Sequence, residues 1–170
     1  MFLTIVSGTR GQGKTTLVRQ YVADAVAAGR SVGGVVSPAV FEHGERAGYD
    51  LLDLRSGRQR PLARVVTSPA ETPTIGTFRF DEAALAAGNA AIVSAVQDGL
   101  DVIAIDELGP LELEGKGWAP ALAFALQACR TEQELVVAVR ASLADKLPVR
   151  FPSSLWEHAK RLSPAANPRS

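Results

Sequence analysis

Apolar residues along this chain come in short runs that alternate with stretches of helical spacing. "FLTIVSG", residues 2–8, is a β-branched run closed by glycine and predicts a buried strand. From Lys14 the period changes. Val18, Val22, Ala25 and Val26 recur at helical spacing until Gly29 ends the pattern. "SVGGVVSPAVF", residues 31–41, predicts a second strand whose glycines mark a bulge or a close backbone approach. Residues 42–80 have a different texture. "GYDLLDL" and "RPLARVV" are short and are separated by the turn-forming "RSGRQ", which predicts a hairpin or small meander inserted beside the main sheet. "TIGTFRF" is a further strand candidate.

Asp81 precedes an alanine-rich run with Leu85, Ile92, Val93 and Val96 on one side, a helix with an acidic start that ends near Gly99. "DVIAID", residues 101–106, is almost continuously apolar and closes on acids, as a central parallel strand covered on both faces does. "WAPALAFALQAC" predicts a helix with Pro120 in its first turn, "ELVVAV" another buried strand, and "SLADKL" a short helix. "LSPAANPRS", residues 162–170, has no apolar periodicity and is expected to be mobile. Strands alternating with helices predict an α/β layered domain with a mostly parallel sheet, where ligands sit beyond the carboxyl ends of the strands. Residues 1–150 are read as one domain and 151–170 as an extension.

Composition narrows the classes. With 170 residues, 46% of them apolar, the chain buries a substantial core without disulfides. Its formal net charge of zero gives no basic field for nucleic acid. The single cysteine, Cys129, has no internal bridge partner and no metal-ligand spacing, and its neighbours Leu122 and Leu126 place it on the buried side of a helix. The opening "MFLTIVSG" lacks a basic leader, and no apolar run approaches bilayer length. The resulting expectation is a soluble protein of the cytoplasm without a membrane partner.

The turn after the first strand carries the candidate chemistry. Gly8 to Thr15, "GTRGQGKT", has the spacing G-x-x-x-x-G-K-[ST]. Glycines let successive backbone N–H groups curl around a phosphate, and the following helix adds the positive end of its dipole. Gly8, Thr9, Arg10, Gly11, Gln12, Gly13, Lys14, Thr15 and Thr16 are therefore the candidate nucleotide-binding residues. Lys14 reaches between the β- and γ-phosphates, and the Thr15 hydroxyl ligates Mg²⁺. Arg10 either adds charge near the phosphates or points to solvent. Asp106, at the end of the apolar strand, is the second expected Mg²⁺ ligand, acting through water. Glu107 emerges on a different side of the strand end, where it orients an attacking water in line with the γ-phosphate. Lys14 and Glu107 are the candidate catalytic pair. A carboxylate there equally suits activation of an acceptor hydroxyl in a kinase.

"GTRGQGKTTLV", "ERAGYDLLDL", "TIGTFRFD" and "DVIAIDELGPLEL" occur in the order and spacing of a small nucleoside-triphosphatase family of thermophilic bacteria and archaea, to which the human cancer-related nucleoside-triphosphatase also belongs. The chain resembles that family over residues 2–140, most specifically in "IDELGPLEL". The resemblance implies Mg²⁺-dependent hydrolysis of nucleoside triphosphates with broad base tolerance, and a three-layer P-loop fold of the RecA-like group. It carries over Gly8 to Thr16, Asp106 and Glu107 in the roles above. It adds Arg46, Gly48 and Tyr49 as a lid or base-side contact. The family often has proline where this chain has Arg10, and the segment after Arg140 departs from the family's usual ending. "EGKGW", residues 114–118, is also similar to small P-loop proteins near molybdenum-enzyme genes. A nucleotide-dependent adaptor in cofactor assembly therefore stands as an alternative, beside a nucleotide or small-molecule kinase.

Arg140, Lys146 and Arg150 read as a solvated face rather than a phosphate lid. His43 and His158 read as surface residues, and Trp118 and Trp156 as packing anchors. The N/T-K-x-D pattern of guanine-specific switches is absent.

Overall fold

Side-chain alternation in the apolar strands builds two cores, one on each face of a sheet. The computed structural model describes residues 1–68 and 74–165. Within them, β1 (Phe2–Gly8), β7 (Val102–Leu108) and β8 (Glu134–Arg140) are buried almost throughout. Leu3, Ile5, Ile103, Ile105, Leu135 and Val137 point to one face and join α2 (Glu82–Gln97) and α4 (Ala119–Ala128) in the larger core. Val6, Val102, Ala104, Val136 and Ala138 point to the other face and meet Val18 and Ala25 of α1 (Lys14–Ala27). The period of two along each strand is what splits the residues this way. The result is the expected three-layer α/β arrangement.

Nine strands form one sheet among the described residues, in the order β6-β5-β4-β2-β7-β8-β1-β9, with β3 paired to β4. β2 (Val32–Val36), β7, β8, β1 and β9 (Lys160–Leu162) run parallel to one another. β3 (Ala39–Glu42), β4 (Glu45–Asp53), β5 (Gln59–Val65) and β6 (Phe78–Phe80) extend the sheet as an antiparallel meander. The predicted insertion is thus a continuation of the main sheet, joined through Val35–Asp53 and Val36–Leu52. "SVGGVVSPAVF" is two strands and not one. Pro38 has no N–H to continue the ladder, so the chain breaks after Ser37. Gly34, at φ 92°, makes the expected close approach: a Cβ there would lie 2.1 Å from the Ala104 carbonyl oxygen of β7.

Asp81 caps α2 by accepting from the Ala84 N–H at 2.7 Å, and Pro110–Leu113 form the one-turn helix α3 after β7. Cys129 stands just past α4 and is half-buried against the larger core, with burial pushing its thiol up to about 11. "SLADKL" gives a 3₁₀ turn, Ala141–Leu143, followed by the one-turn helix α5 (Leu147–Arg150). The region after residue 150 packs more than its sequence pattern suggests. Phe151 and Trp156 are buried, and Lys160–Leu162 pair with β1 as an edge strand that short-range periodicity does not show. Residues 166–170 of the expected mobile tail lie outside the described residues. Among those described, no helix is long and apolar enough to cross a membrane.

Candidate functional site

The glycine-rich loop leaves β1 at Gly8 and enters α1 at Lys14. Gly11 and Gly13 have φ of 79° and 93°, the left-handed region that bends the loop, and Gly13 is the N-cap of α1. Gln12 folds back across the turn. Its Oε1 accepts from the Thr9 N–H at 2.8 Å and from the Thr9 hydroxyl at 3.2 Å. Lys14 is buried, and its Nζ donates to the Thr9 carbonyl at 3.1 Å, so the ammonium rests on the loop it serves. Arg10 is exposed, and its guanidinium lies over the Phe78 ring, 5.8 Å from the centroid, which ties the loop to β6.

Strand alternation sends Asp106 to the α1 face, with Val102 and Ala104. There it is fully buried. Oδ2 accepts from the Ser37 N–H at 3.1 Å, Oδ1 accepts from its neighbour Glu107 N–H at 2.9 Å, and the nearby Thr15 hydroxyl favours the charged carboxylate. Burial, reinforced by the nearby Glu107 charge, pushes the Asp106 carboxyl up to about 6 against these hydrogen bonds. The two residues expected to hold Mg²⁺ are thus near one another. Both offer hard oxygen donors, as Mg²⁺ requires. Among the described residues no group of three or more His, Cys, Asp or Glu converges. A cation here would fill its remaining positions with phosphate oxygens and water.

Glu107 departs from strand geometry at φ 61°, and the β7–β8 register shifts between Ile105 and Leu108. β7 also continues to Leu108, two residues past the predicted end. The turn brings Glu107 to a cleft lined by Lys14, Thr15, Thr16 and Arg19 and, from the meander side, by Pro38, Phe41, Arg46 and Tyr49. The Arg46 guanidinium packs over the Tyr49 and Phe41 rings, 5.4 and 5.6 Å from their centroids, and Nη1 donates to the Tyr49 hydroxyl at 2.9 Å. Its Nε is buried without a partner among the described residues. Gly48 lies in the β4–β5 pairing opposite Arg64 and does not line the cleft. Arg19, Pro38 and Phe41 were not singled out in the sequence. Only Pro38, as a strand breaker, carried a local signal.

Other assignments divide. Arg140, read as part of a solvated face, is half-buried and lines a second cavity next to Glu107. Lys146 is exposed as expected. Arg150 is exposed too, stacked over Phe151 with Nε donating to the Leu113 carbonyl at 3.3 Å. His43 sits exposed in the β3–β4 turn, and His158 is exposed near the Ser154 carbonyl. Trp118 and Trp156 are buried anchors. Glu112, which stood only inside a quoted motif, is buried and receives the Gly109 N–H at 2.6 Å and the Trp118 N–H at 2.8 Å. Burial outweighs these bonds and pushes its carboxyl up to about 7.

Residues 3–154 match a family model described as NTPase. Proteins named nucleoside-triphosphatase THEP1 are similar to this chain. That of Ignicoccus hospitalis is 36% identical over 114 residues, 67% of this chain and 63% of the relative. That of Thermofilum pendens is 37% identical over 123 residues, 72% and 66%. That of Pyrobaculum aerophilum is 34% identical over 140 residues, 82% and 75%. The chain thus spans just under two thirds of the length of the first two. A solved human cancer-related nucleoside triphosphatase shares the fold with a TM-score of 0.70 at 22% identity, over 96% of this chain and 88% of that one.

Proposed function

The chain belongs to the NTPase family, and from that premise we propose that it hydrolyses nucleoside triphosphates to the diphosphate and inorganic phosphate, with Mg²⁺ as cofactor. One observation carries the reading. Thr15, Glu107 and Lys14 line one cleft, and the buried Asp106 stands directly before Glu107 at its wall. A chain that only grips nucleotide has no use for the second acid.

The loop from Gly8 to Thr16 binds the phosphates through its amides, and Lys14 exchanges the Thr9 carbonyl for phosphate oxygens. Thr15 and Asp106 would hold Mg²⁺, which supplies positive charge to the β- and γ-phosphate oxygens. Glu107 accepts a hydrogen bond from a water and orients it toward the γ-phosphate. Phe41, Tyr49 and Arg46 offer flat faces on the far side of the cleft. Stacking on such faces is indifferent to base identity, which favours broad base tolerance. A cytoplasmic setting belongs to the same proposal.

The test is a panel of nucleoside triphosphates with Mg²⁺, read by free phosphate release. Glu107→Gln is expected to keep nucleotide affinity and to lose about two orders of magnitude or more in turnover. Lys14→Ala is expected to lose affinity and turnover together. Unchanged turnover in Glu107→Gln removes its role. Phosphate found on an added acceptor selects a kinase instead, and tight binding with negligible release selects a nucleotide-dependent adaptor.

A further inference from the structure

Glu107 borders two hollows. One is the cleft of the phosphate loop. The other is a separate cavity with apolar walls that include Tyr49, Leu62, Phe78, Leu85 and Trp118. The space within it is about 60 Å³, and about 580 Å³ only when its open mouth is counted, so an occupant rests partly in the mouth.

Polar groups interrupt these walls near Glu107. Ser37 is 1% exposed, and its Oγ has no hydrogen-bond partner among the described residues. Arg140 ends β8 opposite Gly8 of β1 and forms no ion pair among the described residues. Glu112 also lines the cavity, but it is already satisfied by the Gly109 and Trp118 N–H groups. Free hydrogen-bonding capacity is therefore left on Ser37 and Arg140. Buried hydroxyls without a partner are rare because the loss of water is uncompensated. A few unpaired polar groups in an otherwise apolar hollow are the arrangement by which proteins orient small ligands.

We propose that this cavity is a second ligand site, for a small aromatic molecule bearing a hydroxyl, whose ring packs among Phe78, Leu85 and Trp118 and whose hydroxyl bonds Ser37 beside Glu107. The coupling to turnover rests on the reading of Glu107 as the water-orienting carboxylate. An occupant standing there excludes that water and slows hydrolysis without displacing the nucleotide, whose phosphate loop lines the other hollow.

Phenethyl alcohol is the probe, with ethylbenzene as its counterpart lacking the hydroxyl. Trp118 lines the cavity, whereas the Trp156 indole N–H is bonded to the Phe151 carbonyl at 2.7 Å, so their indole resonances report separately. Titrating the full chain with phenethyl alcohol is expected to shift the Trp118 signal saturably and to leave that of Trp156. Ethylbenzene is expected to bind about tenfold more weakly or worse, since a site built for a hydroxyl loses by its removal. Leu85→Trp fills the cavity and abolishes the shift while keeping Mg²⁺–ATP turnover. Ser37→Ala erases the preference for the alcohol, which covers the case in which the bulkier variant does not fold. At saturation the probe is expected to lower kcat about fivefold or more with the nucleotide KM unchanged. The proposal is overturned by no Trp118 shift up to solubility, by equal shifts at both tryptophans, by a shift that persists in Leu85→Trp, or by an unresponsive kcat. A chain that releases no phosphate even without the probe refutes the hydrolytic reading instead, and the Trp118 titration then still decides whether the cavity binds.

Discussion

Glu107 holds a left-handed backbone, φ 61°, that an L side chain adopts at a cost of roughly 1–2 kcal/mol. The strain has a geometric use. An unbroken strand would carry residue 107 to the face of Ile103 and Ile105, toward α2 and α4. The turn opens it also onto the cleft of Lys14 and Thr15, beside the buried Asp106, so that it borders both that cleft and the cavity of Leu85 and Trp118. Glycine is free of this penalty and alanine is not. Glu107→Gly is therefore expected to be more stable than Glu107→Ala by about 1 kcal/mol in urea unfolding, the reverse of the order in ordinary helix or strand positions. An alanine variant as stable as the glycine variant would show that the backbone there is relaxed. Asp106 and Lys14 belong to the same scale. Lys14 was legible because the motif fixes residue type and spacing, and Asp106 because it closes an apolar run. Ser37 was not, because its partner Asp106 lies 69 residues away and no local pattern links them.

Elements position these residues through contacts that leave little room. β2 and β7 run side by side in parallel, with Gly34 paired to Ala104. Any side chain at Gly34 would meet Ala104 backbone atoms, at 2.1 Å from the carbonyl oxygen and 2.8 Å from the nitrogen. Since β7 carries Asp106 and Glu107, and the residue after β2 supplies the Ser37 N–H to Asp106, separating the two strands disturbs the site directly. Gly34→Ala is expected to cost about 3 kcal/mol or more, measured by urea unfolding, and to weaken nucleotide binding in whatever fraction folds. The helices read well from sequence because an amphipathic period and a cap, such as Asp81, are local. The meander read correctly as hairpins, but its attachment to the main sheet did not. Register between β2 and β4 is set by pairing across the sheet, and nothing in either segment encodes it alone.

At the scale of the whole molecule, the two buried carboxyls dominate the pH response near neutrality. Asp106, raised to about 6, and Glu112, raised to about 7, both hold protons in the folded chain that the unfolded chain has released. Where the native state binds more protons, stability falls as pH rises. Their contribution is fully present below the ordinary carboxylate range and is lost as pH climbs through about 6 and 7. Asp50 and Glu134 act oppositely. Asp50 is lowered by hydrogen bonds to Gln59 and Arg64 that outweigh its partial burial, and Glu134 by bonds to Tyr21, Arg30 and Thr4 that do the same. Their stabilisation is lost only in acid, below the usual carboxylate values. The nucleotide-free chain is therefore expected to have a higher urea midpoint at about pH 5 than at about pH 7.5. A rise across that interval would contradict the burial of the two acids. Saturating Mg²⁺–nucleotide should remove the part due to Asp106, because a bound cation favours the carboxylate, and leave the part due to Glu112. Sequence alone determined the layered α/β class, the glycine-rich turn between β1 and α1, and the extents of α1, α2 and α4, since each follows from spacing within a few residues or from the burial demanded by an apolar run. Tertiary structure alone decided that Arg10 stacks on Phe78, that Arg140 turns inward, that Lys160–Leu162 close the sheet against β1, and that a second cavity abuts Glu107. Those depend on which distant segments share an edge or a hollow, a choice made by the packing of the whole chain and absent from any stretch of it.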